Sequence, residues 1–293
     1  MPPRWFIYHF ASGQALFSGV GLNLLAIALT TLFQSRPARM GRNVAAIIGG
    51  ILVALSAVPL PFWLLGIFFV AVAGWLIVEG LSQRVPRPHH TAARTFVALV
   101  CVVMLGLEIP WQLRPAIAVN GRPRLVVLGD SITAGMGGAQ IVNWPNLLAK
   151  DHGLSVTDLS EAGAKLKQGE RQAERIPDEP CLVLIELGGN DMLGGGTAAE
   201  FAADLDKLFT VVCRSERTVA MLELPLLPFG NAFGSAQRDA ASRHHVTLIP
   251  KRYFAAIIAG EDATVDSLHL SQRGQNQMAE MIWSFLAKQY ESR

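Results

Sequence analysis

Charge is what this sequence has least of. Of its 293 residues, 25 are Lys or Arg and 23 are Asp or Glu, 16% in all against 51% hydrophobic, which is too apolar for an ordinary water-soluble chain. The shortage is local. Residues 1 to 110 hold seven basic residues and only two acidic ones, Glu79 and Glu108, a balance of +5, whereas the remainder has 18 basic against 21 acidic, a balance of −3. Neither part carries the concentrated basic field that nucleic-acid binding needs, so that class of partner is excluded. Cysteine is scarce as well: Cys101, Cys181 and Cys213 leave room for one bridge. His89, His90, His152, His244 and His245 show no metal-ligand spacing, so no zinc site is expected. The chain has no internal repeat and no low-complexity tract, and no A-x-A-like cleavage site follows its first apolar run.

What the first third has instead is long uncharged runs. Leu16 to Phe33 is long enough to cross a hydrocarbon core, which takes about 20 helical residues, and Trp5, Phe6 and Tyr8 precede it as interfacial anchors. A second run, Val44 to Val58, is broken by Pro59-Leu60-Pro61 before a third, Phe62 to Val78, as in a tight membrane hairpin. A fourth, Thr95 to Leu107, is clean for only 13 residues. Arg94 can snorkel at one end of it and Glu108 can sit at the other interface. Arg36, Arg39 and Arg42 lie between the first two runs; Arg84, Arg87 and Arg94 lie between the last two. Basic loops stay in the cytoplasm, so four crossings place both chain ends outside, and three place the C-terminal part inside.

Pro110, Pro115, Gly121 and Pro123 mark a linker. Beyond it, apolar β-rich runs alternate with helical patterns. The strand candidates are Leu125–Leu128, Ser155–Leu159, Leu182–Leu187, Thr218–Leu224 and Val246–Ile249, with helices most evident over Ala198–Arg214 and Ser271–Tyr290. Alternation of this kind implies right-handed crossovers and a parallel sheet covered on both faces, an α/β domain. The organisation read from the sequence is a helical transmembrane domain over 1–110, a linker over 111–123 and an α/β domain over 124–293.

Three short segments follow strand candidates, and a fourth comes just before the last helix. The first, G-D-S-I at Gly129 to Ile132, puts Ser131 at a strand-to-helix turn, where open α/β sheets keep their ligands. Taken singly it is equally an N-cap. The second, D-L-S-E-A-G, ends at Gly163 and says little alone. In the third, L-G-G-N-D, two glycines allow a ligand close to the backbone, and Asn190 can donate amide hydrogens to an oxyanion; a plain Gly-Asn turn is the alternative. The fourth, D-S-L-H, sets Asp266 three residues before His269, so one loop can supply an imidazole and the carboxylate that fixes its tautomer. Asp130 and Asp191 read as turn organisers that accept backbone hydrogen bonds. Glu186 and Glu223 stand near strand ends and could face the cleft, but are left outside the site, and Trp144 reads as core.

Order and spacing of these segments resemble the SGNH, or GDSL-type, hydrolase family, whose marker residues Ser, Gly, Asn and His match Ser131, Gly163, Asn190 and His269. The stretches L-G-D-S-I-T-A-G, W-P-N-L-L and E-L-G-G-N-D are most similar to the bacterial thioesterase, lysophospholipase and arylesterase branch. The resemblance covers about residues 124 to 290. Two departures stand out: Leu270 follows the His where relatives usually carry Pro, and Asp158 stands where Asn is more typical. The resemblance implies a flavodoxin-like three-layer α/β/α sandwich and a serine esterase needing no metal or cofactor. Ser131 would be its nucleophile, His269 its general base and acid, and Asp266 the orienting carboxylate. The N–H groups of Ser131 and Gly163 and the amide of Asn190 would form the oxyanion hole.

With the apolar third, this implies a membrane-anchored enzyme of the bacterial inner membrane. Its hydrolase domain would be extracytoplasmic, its substrates acyl-lipid esters, lysophospholipids or thioesters, and the lipid bilayer its partner; the sequence names no protein partner. A cell-envelope carbohydrate O-acetyl esterase or acyltransferase is the alternative, and a scaffold with a hydrolase-like binding domain a lesser one. Cys181 and Cys213 fall at the sheet edge opposite the site, as a disulfide or as two separate thiols.

Overall fold

The uncharged runs of the first third form helices longer than the runs themselves. In the computed structural model, which describes residues 4–33, 35–81, 84–119, 123–135, 141–266 and 268–291, a short α1 (Arg4–Ala11) leads to α2 (Gln14–Leu32), α3 (Arg36–Leu55), α4 (Phe62–Gly80) and α5 (Arg87–Gln112). Gly121 and Arg122 of the linker and Ser267 of the D-S-L-H segment lie outside the described residues. The run Val44 to Val58 understates α3 at its start and overstates it at its end. Ser35 caps the helix by accepting the Ala38 N–H, Pro37 sits in its first turn, and the chain leaves the helix before Pro59. The run Thr95 to Leu107 understates α5 more. That helix has 26 residues and continues through Pro110, two residues into the stretch read as linker. A proline so near the end forfeits one internal hydrogen bond, to Gly106.

By length and composition α2, α3, α4 and α5 can each cross a membrane, with windows of mean hydropathy 1.8, 1.4, 2.2 and 2.0. Large apolar side chains point outward from them, among them Ile47, Ile51, Val70, Ile77, Leu99 and Val102. Small and polar residues point inward. A Cβ on Gly49 would lie 2.6 Å from the Gly19 carbonyl oxygen and 2.4 Å from Asn23 Nδ2, so α2 and α3 cross backbone to backbone, the close approach that small residues permit between helices in lipid.

The remaining elements are β1 (Arg124–Gly129), α6 (Ser131–Ala134), α7 (Trp144–His152), β2 (Val156–Asp158), α8 (Leu166–Glu174), β3 (Cys181–Glu186), α9 (Gly189–Leu193), α10 (Ala198–Val212), β4 (Arg217–Leu222), α11 (Asn231–Arg243), β5 (Thr247–Ile249), α12 (Lys251–Ile258) and α13 (Gln272–Glu291). All five strands pair in parallel, in the order β2-β1-β3-β4-β5. Side chains alternate across the sheet. Leu125, Val127, Leu182, Leu184 and Leu222 share a core with Trp144 and Leu148 of α7 and with Met278, Ile282 and Phe285 of α13. On the opposite face α8 packs on β1 and α10 on α8, completing three layers. Trp144 is fully buried, as a core residue.

β4 stops at Leu222, two residues short of the expected end. Glu223 is buried in an ion cluster, with Arg238 Nε 2.7 Å from its Oε1 and the Lys251 N–H donating to its Oε2 at 3.1 Å. It does not face a cleft. Cys181 and Cys213 are free thiols, and burial pushes Cys213 up to about 11.

The chain divides into two compact units. One holds His9–Gln112 with Leu227–Asn231; the other holds the residues up to Tyr8, Leu113–Leu226 and the chain from Ala232 onward.

Candidate active site

In the order β2-β1-β3 the connection from β1 goes to one side and the connection from β2 crosses to the other. The carboxyl ends of β1 and β3 therefore flank a switch point, where parallel sheets open a crevice. Gly129 and Glu186 face each other there in register. Ser131 follows β1 as the first residue of α6 and is 6% exposed. Asp130 caps this helix, its Oδ1 accepting the Ile132 N–H at 2.9 Å. That is the turn-organising part read for it, and Asp191 does the same for the Leu166 N–H at 3.1 Å.

Asn190 is the second residue of α9, the short helix after β3. Its Nδ2 donates to Asp130 Oδ2 at 3.1 Å and to the Ala164 carbonyl at 3.0 Å, so one side-chain amide ties together the segments after β1, β2 and β3. Gly163, next to Ala164, has φ 75°, a conformation side-chain-bearing residues rarely adopt. The loop before it is held by Asp158, which accepts Ser160 N at 3.0 Å, Ser160 Oγ at 2.6 Å and Asn143 Nδ2 at 2.8 Å. Only a carboxylate can accept from three donors and offer none in return, which accounts for Asp at this position.

Asp266 and His269 are joined directly. Asp266 Oδ2 lies 2.6 Å from His269 Nδ1, and Oδ1 accepts the N–H groups of His269 at 2.8 Å and Leu268 at 3.1 Å. The His269 backbone bond above all, then its ring and the Leu268 N–H, hold the Asp266 carboxyl down at about 2. The loop is pinned on both sides of Leu270, by Val265 N–H to the His269 carbonyl at 2.8 Å and Ser271 N–H to the Ala263 carbonyl at 2.9 Å. Leu270 lends no N–H to this bridge and buries its side chain, so a proline is not required there. Among the described residues, Ser131 Oγ and His269 are not joined by a hydrogen bond.

Three glutamines not singled out in the sequence hold the strand ends, and Glu186, left outside the site there, lies beside Asp130. Gln172 donates Nε2 to the Gly129 carbonyl at 2.9 Å and accepts its N–H at 3.1 Å, standing in for a strand neighbour where β1 ends. Gln275 does likewise for Ile132 and Trp144, and Gln237 for Leu222 and Leu224. Unmatched buried peptide groups of this kind cost about 1–3 kcal/mol each. Glu186, 1% exposed, accepts from Thr133 Oγ1 at 2.8 Å. Burial, reinforced by the Asp130 carboxylate, holds Glu186 well above the usual carboxylate range, and burial also raises Asp130. Of the two carboxyls Glu186 is held the higher. A charged residue inside an otherwise apolar strand was the available signal.

Residues 127–277, about half the chain, match the profile of the GDSL-like lipase/acylhydrolase family. The chain belongs to that family. It is a GDSL-like hydrolase of ester bonds, and its parallel sheet has the fold of such enzymes. An arylesterase of Vibrio mimicus is 30% identical over 183 residues, covering 58% of this chain and 92% of that protein. The thioesterase 1/protease 1/lysophospholipase L1 of Escherichia coli K12 is 29% identical over 136 residues, covering 43% and 65%. The crystal structure of TesA superposes with a TM-score of 0.50 at 26% identity, covering 56% of this GDSL-like hydrolase and 98% of TesA. Among the described residues no three His, Cys, Asp or Glu side chains are grouped to hold a metal ion.

Proposed function

We propose that the chain is a membrane-anchored serine esterase whose substrates are acyl-lipid esters, lysophospholipids or acyl thioesters. The observation that carries this reading is the pairing of Asp266 with His269 in a pinned loop, together with an Asn190 amide that ties Asp130, beside Ser131, to Ala164, beside Gly163. Ser131 Oγ attacks the acyl carbonyl while His269 takes its proton. The tetrahedral intermediate collapses as His269 returns that proton to the leaving oxygen or sulfur, and an ester on Ser131 remains. Water, deprotonated by His269, then releases the acid and restores Ser131. The N–H groups of Ser131 and Gly163 and the Asn190 amide receive the negative charge. In the resting site Asn190 points its amide at Ala164 and Asp130, so one of these acceptors gives way to the oxyanion.

Four observations support the membrane part: four helices of spanning length, outward apolar side chains, an uncharged turn between α3 and α4, and arginines at both other turns. A fifth bears on the number of crossings. Arg4, ahead of α2, donates from its guanidinium to the Gly260 carbonyl at 2.6 Å, and a contact between residues on either side of the helical region needs an even number of crossings. Four crossings with the arginine turns in the cytoplasm put the hydrolase unit outside a bacterial inner membrane. The relatives' names, arylesterase and thioesterase/lysophospholipase, support the substrate class.

The deciding experiment is hydrolysis of nitrophenyl esters from two to sixteen carbons by the purified full chain. Activity rising with chain length is expected. A sharp preference for acetyl would replace this reading with the O-acetyl esterase.

A further inference from the structure

The four-helix unit contains a polar site that ester hydrolysis does not use. Near the end of α4, Glu79 is buried, with Arg94 Nε 2.8 Å from its Oε1, and Arg42 Nη1 and His90 Nδ1 at 3.6 and 3.5 Å from its Oε2. A cavity of about 440 Å³ opens beside this cluster, and Arg39 and Arg87 also line it. Four guanidinium groups and one carboxylate thus line one cavity. The other acidic residue of this region, Glu108, is 21 positions beyond Arg87 on α5, about 30 Å along the helix, where Gln112 Nε2 donates to it at 2.6 Å. Gln34, Ser82 and Gln83, outside the described residues, carry no charge. An ion-pair network built for stability alone would approach neutrality; this one leaves three positive charges lining a cavity.

An apolar groove adjoins the cavity at Thr91. Pro88, Thr91, Ala92, Thr95, Phe96 and Leu99 form one helical stripe along the outer face of α5, and Thr91 lines both spaces. A ligand filling both must carry negative charge at one end and hydrocarbon at the other. Guanidinium forks match phosphate oxygens in pairs, and basic pockets between membrane helices hold phosphate headgroups. We propose that this cavity binds the phosphate headgroup of an anionic phospholipid, with one acyl chain lying in the α5 groove. A zwitterionic choline headgroup would set its own cation against the arginines, and a free phosphate ester would leave the groove empty.

Native mass spectrometry of the full-length protein in detergent tests this with phosphatidylglycerol, phosphatidylcholine and glycerol phosphate as probes. Wild type is expected to retain phosphatidylglycerol and neither of the others. The double variant Arg39→Gln/Arg87→Gln, at two exposed positions, should retain at least tenfold less. Ala92→Trp, which fills the groove and leaves every charge in place, should retain less as well. Both variants should keep nitrophenyl-ester hydrolysis at the wild-type rate in detergent; if the double variant loses it, Ala92→Trp alone decides. Equal retention of phosphatidylglycerol by wild type and Ala92→Trp would overturn the proposal. So would retention of phosphatidylcholine as well as phosphatidylglycerol, or displacement of phosphatidylglycerol by equimolar glycerol phosphate.

Discussion

Asp266 holds His269 at two points, its Oδ2 2.6 Å from Nδ1 of the ring and its Oδ1 2.8 Å from the backbone nitrogen. The ring is thereby oriented from a residue three positions away, with no help needed from another element. With its carboxyl held down at about 2, Asp266 stays ionised at any pH above about 4, and what it contributes is lost only as pH falls through 2. No acid limb of activity above pH 4 therefore comes from Asp266. Asp266→Asn, which keeps the shape and loses the charge, should lower kcat roughly 10²- to 10⁴-fold with KM little changed. Profiles of kcat and kcat/KM against pH check this, and a variant within threefold of wild type would remove Asp266 from the mechanism.

A fluorophosphonate probe should label wild type and leave Ser131→Ala unlabelled, since the proposed covalent step occurs at Ser131. Asn190→Ala should still label, at a rate reduced roughly 10²- to 10³-fold, the usual effect of removing one oxyanion donor. Gel fluorescence after timed exposure measures both. Labelling of the Ser131 variant at the wild-type rate would end the assignment.

Glu186 makes a prediction about stability. Its folded pKa is raised by burial and by Asp130, so the stability it contributes is complete below its unfolded value, about 4.3, and is lost as pH rises toward the folded value. Glu186→Gln keeps an acceptor for Thr133 and a donor toward Asp130 but cannot ionise. As pH rises above about 4.3 the melting temperature of wild type should fall more steeply than that of Glu186→Gln, by up to about 1.4 kcal/mol per pH unit in stability. Parallel melting curves would mean that Glu186 is not held above its unfolded value.

The proposed topology is tested by cysteine accessibility in a Cys213→Ser background. Ala118→Cys should react with a membrane-impermeant maleimide added outside intact cells, and His89→Cys should not. The reverse pattern would indicate three crossings and a cytoplasmic esterase, and would favour acyl thioesters as substrates.

How far these features were legible in the sequence depends on whether a residue's role is local. Buried strands announce themselves as apolar runs, so β1 and β3 were placed within a residue. The run Thr218 to Leu224 misled because Leu224 is as buried as the strand, although Gln237, from another element, has already taken over the pairing of Leu222 and Leu224. α5 looked like 13 residues because Arg94 and Glu108 interrupt its apolar stretch; Glu79 and Gln112 satisfy them. Ser131, Gly163 and Asn190 come after strands, and Asp266 and His269 come before the last helix, positions that chain order alone displays. The roles of Gln172, Gln237 and Gln275 cannot be read that way. A glutamine on a helix is unremarkable until folding brings a strand end to it.

The bond from Arg4 to Gly260 spans 256 positions of sequence. At synthesis rates of about 5–20 residues per second, roughly 13 to 50 s separate the appearance of its two partners. During that interval the N-terminal arm has no Gly260 to meet, while the helices that follow it have begun to form. The arm can therefore close only after Gly260 has been made, a contact of high order in a domain otherwise built from neighbouring strand–helix units. Under the proposed four-crossing topology, closure of the arm requires both of its partners on the same side of the bilayer.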